Sequence, residues 1–233
     1  MSASPIAAMF DRISPKYDTL NHLLSINIDK VWRNKTAKAV ASAHPQTVLD
    51  LATGTADLAL IVAHYNPQAH IIGMDFSERM LEIGKDKIAK KGMENQIELQ
   101  LGDAAILPFE NNVFDAVTVS FGMRNFEDLN KSLCEIHRVL KPGGRAFVLE
   151  FSMPEQFPIK QLYRCYFRKV LPIIGRFVSK DPGAYTYLPA SVERFPKPKA
   201  LLELLSQHGL TKGTTKKLSF GIATLTVVTR DNS

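Results

Sequence analysis

The chain has 233 residues, of which 45% are hydrophobic and 22% are charged, as in an ordinary globular protein. No stretch approaches the roughly 20 apolar residues that span a bilayer, and the first fifteen residues contain no apolar run fit for a signal peptide. We therefore expect a soluble cytoplasmic protein, rather than a membrane-spanning or secreted one, with a core that needs no disulfides.

The net charge of +6 is concentrated in one part of the chain. Between Gln156 and Lys180 there are six basic residues and no acidic one. These six positive charges equal the net charge of the whole chain. A basic region of this kind indicates a partner of opposite charge. The six residues are Lys160, Arg164, Arg168, Lys169, Arg176 and Lys180.

The first part of the chain, through about Ala43, has a helical pattern with a predicted break at Pro15. After it, apolar runs typical of strands alternate with helical periods, and this alternation predicts a parallel sheet. Ser77 is the predicted N-cap of the helix after the second strand. The first four predicted strands are Thr47–Leu51, His70–Asp75, Ile97–Leu101 and Phe114–Ser120.

The second half of the chain completes the predicted fold. A helix over Leu129–Leu140 ends at a Pro-Gly-Gly turn, and a fifth strand follows at Arg145–Glu150. The segment Phe151–Lys197 is too long for a plain crossover and is expected to form a partly helical cap beside the site. After a helix over Pro198–His208, the pattern predicts two more strands, which form an antiparallel hairpin at the sheet edge: Thr211–Leu218 and Ile222–Thr229.

The fold class that we predict is α/β, Rossmann-like, with a mostly parallel seven-stranded sheet. We expect one domain over residues 1–233. Its parts are an N-terminal helical segment (1–43), a cofactor-binding core (44–150), a cap (151–197) and a C-terminal helix with a strand hairpin (198–233).

A small-residue loop follows the first strand, and acidic residues lie at the ends of both early strands. Asp50 precedes the loop around Gly54, and Asp75 ends the second strand. In open α/β sheets, ligands bind outside the carboxyl ends of the strands, where the strand order reverses. An aspartate there can accept both hydroxyl groups of a ribose. The pattern therefore predicts a site for an adenosine-type cofactor.

The loop distinguishes among such cofactors. No Lys-Ser/Thr pair follows the glycine, as an ATP phosphate loop requires. The glycine positions of a dinucleotide site hold Ala52, Gly54 and Ala56, and Asp57 would repel a pyrophosphate. S-adenosylmethionine carries no phosphate and is cationic, so Asp50 and Asp57 suit it.

Two residues farther along the chain agree with this choice. Asp103, just past the third strand, can accept a hydrogen bond from the adenine amine. Ser120 ends the fourth strand beside the expected position of the methyl group.

Several short motifs, spread over nearly the whole chain, are shared with one family. They are Met9-Phe10-Asp11, Tyr17-Asp18, Asn21, Ser25, Trp32, Ser120-Phe121-Gly122-Met123-Arg124-Asn125, Arg138-Val139-Leu140-Lys141-Pro142-Gly143-Gly144, Leu149-Glu150-Phe151-Ser152, Ala184-Tyr185-Thr186-Tyr187-Leu188 and Phe195-Pro196. With these motifs the chain resembles the menaquinone/ubiquinone biosynthesis C-methyltransferases, which belong to the class I S-adenosylmethionine methyltransferases.

The resemblance implies a function and a set of cofactor contacts. The implied reaction is methylation of a ring carbon, most readily of demethylmenaquinol and alternatively of a polyprenyl benzoquinol. One position departs from the family, since Ala56 stands where a glycine is usual. We expect its methyl group either to crowd the cofactor or to demand another backbone angle. The implied contacts are Thr55, Asp75, Asp103, Ala104 and Ser120, beside Gly54 in the loop.

Three residues are expected to perform the chemistry. A quinol carbon becomes nucleophilic when a ring hydroxyl group loses its proton. Arg124 is the predicted partner of the oxyanion, and Asn125 is expected to orient it or to donate alongside. Asp57 is predicted either to accept the proton or to pair with Arg124. Arginine itself cannot act as the base.

The cap provides the expectation about substrate and partners. Its apolar residues recur at helical spacing from Phe157 to Phe177, and such a surface suits an isoprenoid tail as well as ordinary core packing. The basic residues around it predict reversible binding to anionic lipid, so we expect a peripheral position at the inner face of the membrane.

Other partners and functions are distinguished as follows. Ser-Phe-Gly-Met after the fourth strand disfavours a nucleic-acid amine as substrate. The six histidines show no metal-ligand spacing, so no metal is predicted. A homo-oligomer is left open. Two alternatives also remain, a small-molecule O- or N-methyltransferase and a methyltransferase-like binding protein without turnover.

Overall fold

The computed structural model describes residues 5–166 and 182–231, with eight α-helices and seven β-strands in those ranges. The helices are α1 (Pro5–Leu24), α2 (Ile28–Ala41), α3 (Asp57–Tyr65), α4 (Glu78–Lys90), α5 (Leu129–Val139), α6 (Ile159–Cys165), α7 (Pro182–Arg194) and α8 (Pro198–Gln207). The strands are β1 (Thr47–Leu51), β2 (His70–Asp75), β3 (Ile97–Leu101), β4 (Phe114–Ser120), β5 (Leu140–Phe151), β6 (Leu210–Leu218) and β7 (Ala223–Arg230).

The seven strands form one sheet in the order β3-β2-β1-β4-β5-β7-β6. β1 to β5 are parallel, β7 runs antiparallel to β5, and β6 pairs antiparallel with β7 at the edge. The predicted α/β class and the antiparallel hairpin are confirmed, and the first four strands have the predicted bounds. The chain moves outward from β1 in one direction and from β4 in the other, so a crevice opens between their carboxyl ends.

The core lies on both faces of this sheet, because successive residues of a strand point to opposite sides. In β1, Val48 packs in one cluster, with residues of α2 and α3. Leu49 and Leu51 pack in the other, with residues of α5 and α8. Both clusters consist of fully buried aliphatic and aromatic side chains, so the sheet holds the ends of β1 and β4 rigidly.

The predicted cap of α4 is confirmed. Ser77 Oγ accepts a hydrogen bond from the backbone N–H of Met80 at 3.3 Å. The buried side of the helix consists of Met80, Leu81, Gly84 and Ile88.

The predicted break at Pro15 is wrong, because α1 continues through it to Leu24. A proline inside a helix leaves the carbonyl four residues earlier without its N–H donor. Here that carbonyl belongs to Asp11, and the hydroxyl group of Ser14 donates to it at 2.9 Å. The side chain replaces the missing bond, so the helix persists.

The fifth strand begins earlier than predicted. Leu140 already pairs with Phe114 of β4, and the register shifts before Arg145 pairs with Ala116. The Pro-Gly-Gly turn therefore lies within an irregular start of β5 instead of preceding it.

Candidate active site

The loop between β1 and α3 forms the floor of the crevice. Ala52, Gly54 and Ala56 all have positive φ angles, of 51°, 56° and 65°. This tight path turns the backbone N–H of Gly54 toward Asp75 Oδ2, at 2.8 Å. Gly122 must lack a side chain, because a Cβ there would come within 2.3 Å of the Ala52 methyl group.

Ala56 keeps the left-handed conformation that a glycine would adopt, with φ 65° and ψ 20°. Its side chain is fully buried in the core cluster, and a Cβ on Gly84 would lie 3.4 Å from it. The methyl group thus faces the core and not the crevice, whose lining residues do not include Ala56 within the described chain. The expected change of backbone angle is wrong, because Ala56 keeps the left-handed angle, which is unfavourable for alanine. Crowding of a bound cofactor stays a prediction.

Asp75 holds the loop and the start of α4 together. Its carboxylate accepts the backbone N–H groups of Gly54 at 2.8 Å and of Ser77 at 2.9 Å. Burial raises the pKa of Asp75 to about 6, although both hydrogen bonds act to lower it. The carboxylate is therefore fixed at the end of β2, where the sequence predicts the ribose.

Asp50 is buried beneath the loop. Its two oxygens accept hydrogen bonds from Thr118 Oγ1 at 2.5 Å and Thr53 Oγ1 at 2.6 Å. Burial raises the pKa of Asp50 to about 6, against the lowering effect of the two threonines. A cationic ligand in the crevice would favour its ionised form.

The remaining predicted cofactor residues also border this edge of the sheet. Ser120 Oγ is buried and has no hydrogen-bond partner among the residues that the structure describes. Asp103 is exposed after β3, and its Oδ1 accepts the N–H of Ala105 at 2.9 Å. Ala104 is buried beside it. A buried hydroxyl group with no partner in the described ranges, two buried carboxylates and the exposed carboxylate of Asp103 suit a cationic adenosyl cofactor better than an anionic one.

Helix α1 lies across this crevice. Ser77 Oγ donates to Asp11 at 2.5 Å, and Thr55 Oγ1 donates to Asp18 at 2.6 Å. The space left beneath the helix is about 20 Å³. A molecule of adenosyl size does not fit in that volume, so its entry requires α1 to move. The crevice is lined by Tyr17, Arg33, Asp50, Ala52, Thr53, Gly54, Thr55, Asp57, Leu58 and Ser120.

Lys87 of α4 links α1 to the loop. Its Nζ contacts Asp57 Oδ1 at 2.5 Å, Asp18 Oδ2 at 2.7 Å and Thr55 Oγ1 at 2.9 Å. The structure therefore places Asp57 at the crevice, with Lys87 as its partner.

A larger cavity of about 350 Å³ adjoins the crevice, and Tyr17 and Arg33 line both. Its walls are mostly aromatic and aliphatic. The Arg33 guanidinium lies 5.1 Å from the centre of the Phe121 ring. The lining residues are Met9, Phe10, Ile13, Tyr17, Asn21, Ser25, Ile26, Ile28, Asp29, Trp32, Arg33, Phe121, Arg124, Phe151, Ile159, Leu162, Tyr163, Tyr166, Tyr187, Leu188 and Ile222.

Arg124 lines this cavity and is held by Glu150. Its Nη1 donates to Glu150 Oε1 at 2.7 Å and also to the Phe121 carbonyl, and its guanidinium lies 5.4 Å from the centre of the Phe151 ring. The Nε atom is buried without a partner in the described part of the chain. The alternative that Asp57 pairs with Arg124 is wrong, since Glu150 at the end of β5 lies within reach and Asp57 is bound to Lys87.

Asn125 is buried next to Arg124, and its Oδ1 accepts the Tyr187 hydroxyl group at 3.0 Å. Tyr187 in turn lines the cavity. Asn125 thus lies behind the wall and holds the lining residue Tyr187, a contact with the cap that the sequence did not reveal.

Several site residues were missed by the sequence analysis. Glu150 is a buried acid at the end of β5, a position equivalent to that of Asp75 in β2, and this pattern could have identified it. Asp29 and Arg33 are four residues apart on α2 and form a buried pair at 2.5 Å. An i, i+4 pair of opposite charge flanking Trp32 was the available signal.

The predicted basic region is described only in part. Lys160 is exposed on α6 and so is Arg164, whereas Arg168, Lys169, Arg176 and Lys180 lie outside the described residues. The same applies to the apolar positions from Phe167 to Phe177.

No helix in the described part of the chain is both long and apolar enough to cross a membrane. Within residues 5–166 and 182–231, no cluster of three or more histidine, cysteine or acidic residues could hold a metal ion.

Comparison with known sequences gives one family for nearly the whole chain. The model described as the ubiE/COQ5 methyltransferase family matches residues 2–230. A demethylmenaquinone methyltransferase of Bacteroides fragilis is 42% identical, with 97% of this chain and 92% of the relative covered. One from Thermus thermophilus is 44% identical (94% and 98% covered). A ubiquinone/menaquinone biosynthesis C-methyltransferase UbiE of Geobacter sulfurreducens is 42% identical (94% and 86% covered).

Solved structures confirm the fold. The [4+2]-cyclase SpnF superposes with a TM-score of 0.70 at 16% identity, covering 99% of this chain and 97% of that chain. A SAM-dependent methyltransferase of Aquifex aeolicus gives a TM-score of 0.57 at 17% identity, covering 79% and 81%. One of these neighbours is named as a cyclase, so the fold by itself does not fix the reaction.

Proposed function

The chain belongs to the ubiE/COQ5 methyltransferase family, and we propose that its substrate is demethylmenaquinol, methylated on a ring carbon by S-adenosylmethionine. It is a methyltransferase that uses S-adenosylmethionine, in menaquinone or ubiquinone biosynthesis. The observation that carries the quinol proposal is the cavity of about 350 Å³, with apolar walls and two buried guanidinium groups, beside the carboxylate crevice. The relatives named demethylmenaquinone methyltransferase favour the menaquinol nucleus over the benzoquinol.

The residues of the crevice would hold the cofactor. Asp75 is suited to accept the ribose hydroxyl groups, and Asp103 to accept the adenine amine. Asp50 offers a buried negative charge to the cationic amino acid end, and Ser120 offers an unpartnered hydroxyl group. Gly54, Thr55 and Ala104 provide the surrounding wall. When bound, the cofactor supplies an electrophilic methyl group on a cationic sulfur.

The residues of the cavity would prepare the acceptor. A quinol attacks through carbon once a hydroxyl proton is removed, because the oxyanion delocalises into the ring. Arg124 and Arg33 place two positive charges at the wall of an apolar cavity, where they stabilise an anion more strongly than in water. Glu150 fixes Arg124 in one orientation, and Asn125 fixes Tyr187, so little reorganisation is needed as charge develops.

We also propose that the mouth of this cavity rests on an anionic membrane surface, where a prenylated quinol resides. Ile26 and Leu162 line the cavity and are yet 78% and 67% exposed. Phe157 and Phe220 are 80% and 72% exposed, and Ser219, next to Phe220, accepts a hydrogen bond from the cavity residue Trp32 at 2.9 Å. Exposed apolar residues of this size around a pocket mark an interaction site.

Vesicle binding tests this partner. With vesicles containing anionic lipid, we expect salt-sensitive co-sedimentation that is strongly reduced in the Phe157→Asp, Leu162→Asp double variant. Each of the Lys160→Glu and Arg164→Glu changes removes one positive charge and adds a negative one, and should cost at least about 1 kcal/mol of binding. Leu101→Asp, at another exposed apolar position, is the control. Unchanged binding in the Phe157→Asp, Leu162→Asp double variant and in both charge-reversal variants would refute the membrane proposal and leave the reaction proposal intact.

Product analysis tests the reaction. Purified protein is incubated with S-adenosylmethionine carrying a ¹³C-labelled methyl group and with short-tailed demethylmenaquinol or benzoquinol. We expect the label on a ring carbon of the menaquinol, with slower turnover of the benzoquinol. Label on oxygen or nitrogen would show the O- or N-methyltransferase alternative, and cofactor binding without any product would favour a binding protein.

A further inference from the structure

A buried carboxylate lies in the wall of the large cavity. Asp29 is the only acidic side chain among the described residues that line it, and it is 3% exposed. Its Oδ1 accepts Ser25 Oγ at 2.5 Å, and its Oδ2 accepts Arg33 Nη1 at 2.5 Å. Burial acts to raise the pKa of Asp29, but the Ser25 hydrogen bond and the Arg33 charge outweigh it, so the pKa lies below its usual value.

His22 connects this carboxylate to the outside. Its Nδ1 lies 2.8 Å from Asp29 Oδ2, and its Nε2 lies 3.8 Å from Asp57 Oδ2. The exposed fraction rises along this path, from 3% at Asp29 to 22% at both His22 and Asp57. The imidazole therefore stands between one carboxylate inside the cavity wall and one at the partly exposed crevice.

We propose that Asp29 and His22 carry the proton of the reacting quinol hydroxyl group out of the cavity to Asp57 and solvent. This inference rests on the proposed function. The O–H bond breaks, its electron pair stays on the quinol oxygen, and the proton binds an oxygen of Asp29. In the tautomer with the ring proton on Nε2, His22 then takes it at Nδ1. The Nε2 proton leaves to water, through which it reaches Asp57 Oδ2, 3.8 Å from Nε2. Tautomer exchange through water resets the ring.

The chemistry of the neighbouring groups supports this route. Arg124 holds its protons too tightly to act as a base. Asp29 alone is too weak a base to keep the proton, whereas a histidine changes charge near neutral pH. The imidazolium faces negative charge on both sides, from Asp29 on α2 and Asp57 on α3. Three other charged groups lie nearby. Arg33 on α2 is bound to Asp29, Lys87 on α4 is bound to Asp57, and Asp18 on α1 is bound to Lys87.

The test is the pH profile of a single turnover. His22→Asn keeps a side chain that can hydrogen-bond to Asp29 but removes the exit through Nε2. Loss of a proton-transfer group costs about 10²- to 10⁴-fold in rate. We expect at least a 100-fold loss at pH 7 that shrinks as the pH rises, with the cofactor Kd and the quinol KM within threefold of the parent. In His22→Ala, added imidazole should restore part of the rate.

Control variants and outcomes separate the relay from the reaction. His137→Asn changes a histidine that pairs with Asp231 at 3.3 Å and is not among the described residues that line the crevice or the cavity, and should leave the profile unchanged. A parental rate and pH profile in His22→Asn would overturn the relay, as would an equal loss at every pH without imidazole rescue. No ring methylation by the parent protein would instead overturn the proposed function. Asp57→Asn, which leaves the imidazole in place, should slow turnover less than His22→Asn does.

Discussion

The two neighbouring spaces of this molecule share a wall, Tyr17 and Arg33, but differ in the other charged residues that line them. The crevice at the ends of β1 and β2 is lined by Asp50 and Asp57, and Asp75 holds its loop through the backbone N–H of Gly54. The cavity beyond the wall is mostly apolar, and its two guanidinium groups, Arg33 and Arg124, outnumber its one carboxylate, Asp29, among the described residues.

This contrast matches a transfer between unlike reactants. A cation is favoured in the first space, and an anion that forms from an apolar molecule is favoured in the second. Charge of either sign is most effective where water is excluded, because the local dielectric constant is low. Changes on one side of the wall should therefore affect one reactant and spare the other.

The largest effect is expected for Arg124→Lys. Lysine keeps the charge next to buried Glu150 but cannot reproduce the planar fork of the guanidinium. We expect kcat to fall about 100-fold or more, the usual cost of losing one donor that stabilises a developing oxyanion. Calorimetry should show unchanged cofactor affinity. Arg145→Lys, on the exposed start of β5, is the matched control. A weakened cofactor Kd with normal kcat would contradict the assignment.

The next effect concerns Asp75→Asn. An amide has one acceptor oxygen, so one of the N–H groups of Gly54 and Ser77 loses its bond, at a cost of about 1–3 kcal/mol. We expect cofactor affinity to fall by about 5- to 150-fold. Trp32 is the single tryptophan and lines the cavity, so its fluorescence reports quinol binding separately. An equal loss of affinity for S-adenosylmethionine and for the quinol would mean that the wall does not separate the two spaces.

A smaller effect is expected from pH. The pKa values of Asp50 and Asp75 are raised to about 6 in the folded protein, so a cation binds their ionised forms and releases protons. Affinity for S-adenosylmethionine should rise up to about tenfold per carboxylate from pH 5 to 7 and level off above pH 7.

Without the cofactor, the same two groups act on stability in the opposite direction. The folded chain retains protons that the unfolded chain has already lost, so their contribution to the free energy of unfolding falls from about pH 4 to 6. Calorimetry in two buffers counts the protons released on binding. An affinity that is independent of pH would contradict this origin of the charge preference.

The smallest effect is expected for Ala56→Gly. Glycine relieves the left-handed backbone, about 1–2 kcal/mol, but loses a buried methyl group and gains freedom in the unfolded chain. We expect the free energy of unfolding to change by less than about 1 kcal/mol. Ala59→Gly, equally buried within α3, should destabilise by about 1 kcal/mol or more. Equal destabilisation of the Ala56→Gly and Ala59→Gly variants, measured by unfolding in urea, would show that the loop carries no strain.

The sheet and the crevice were predictable because their signals are local. Apolar runs set β1 to β4, and acids at strand ends marked Asp50 and Asp75. The cavity was not predictable in this way, because its lining residues come from segments that are distant in the sequence. No local pattern shows how those segments pack together. Asp29 of α2, Arg124 after β4 and Tyr187 of α7 line the cavity together only through packing of these elements. Pro15 shows the same limit on a small scale, since one hydroxyl group from Ser14 outweighs a strong helix-breaking signal.

A crystal structure with S-adenosylhomocysteine would test the central claim most directly. We predict the adenosyl group in the crevice, the ribose on Asp75, and the sulfur directed past Ser120 toward the cavity that holds Arg124, with α1 displaced to make room. The ligand bound in the cavity instead, or absent from a crevice that accepts a nucleotide phosphate, would contradict the account.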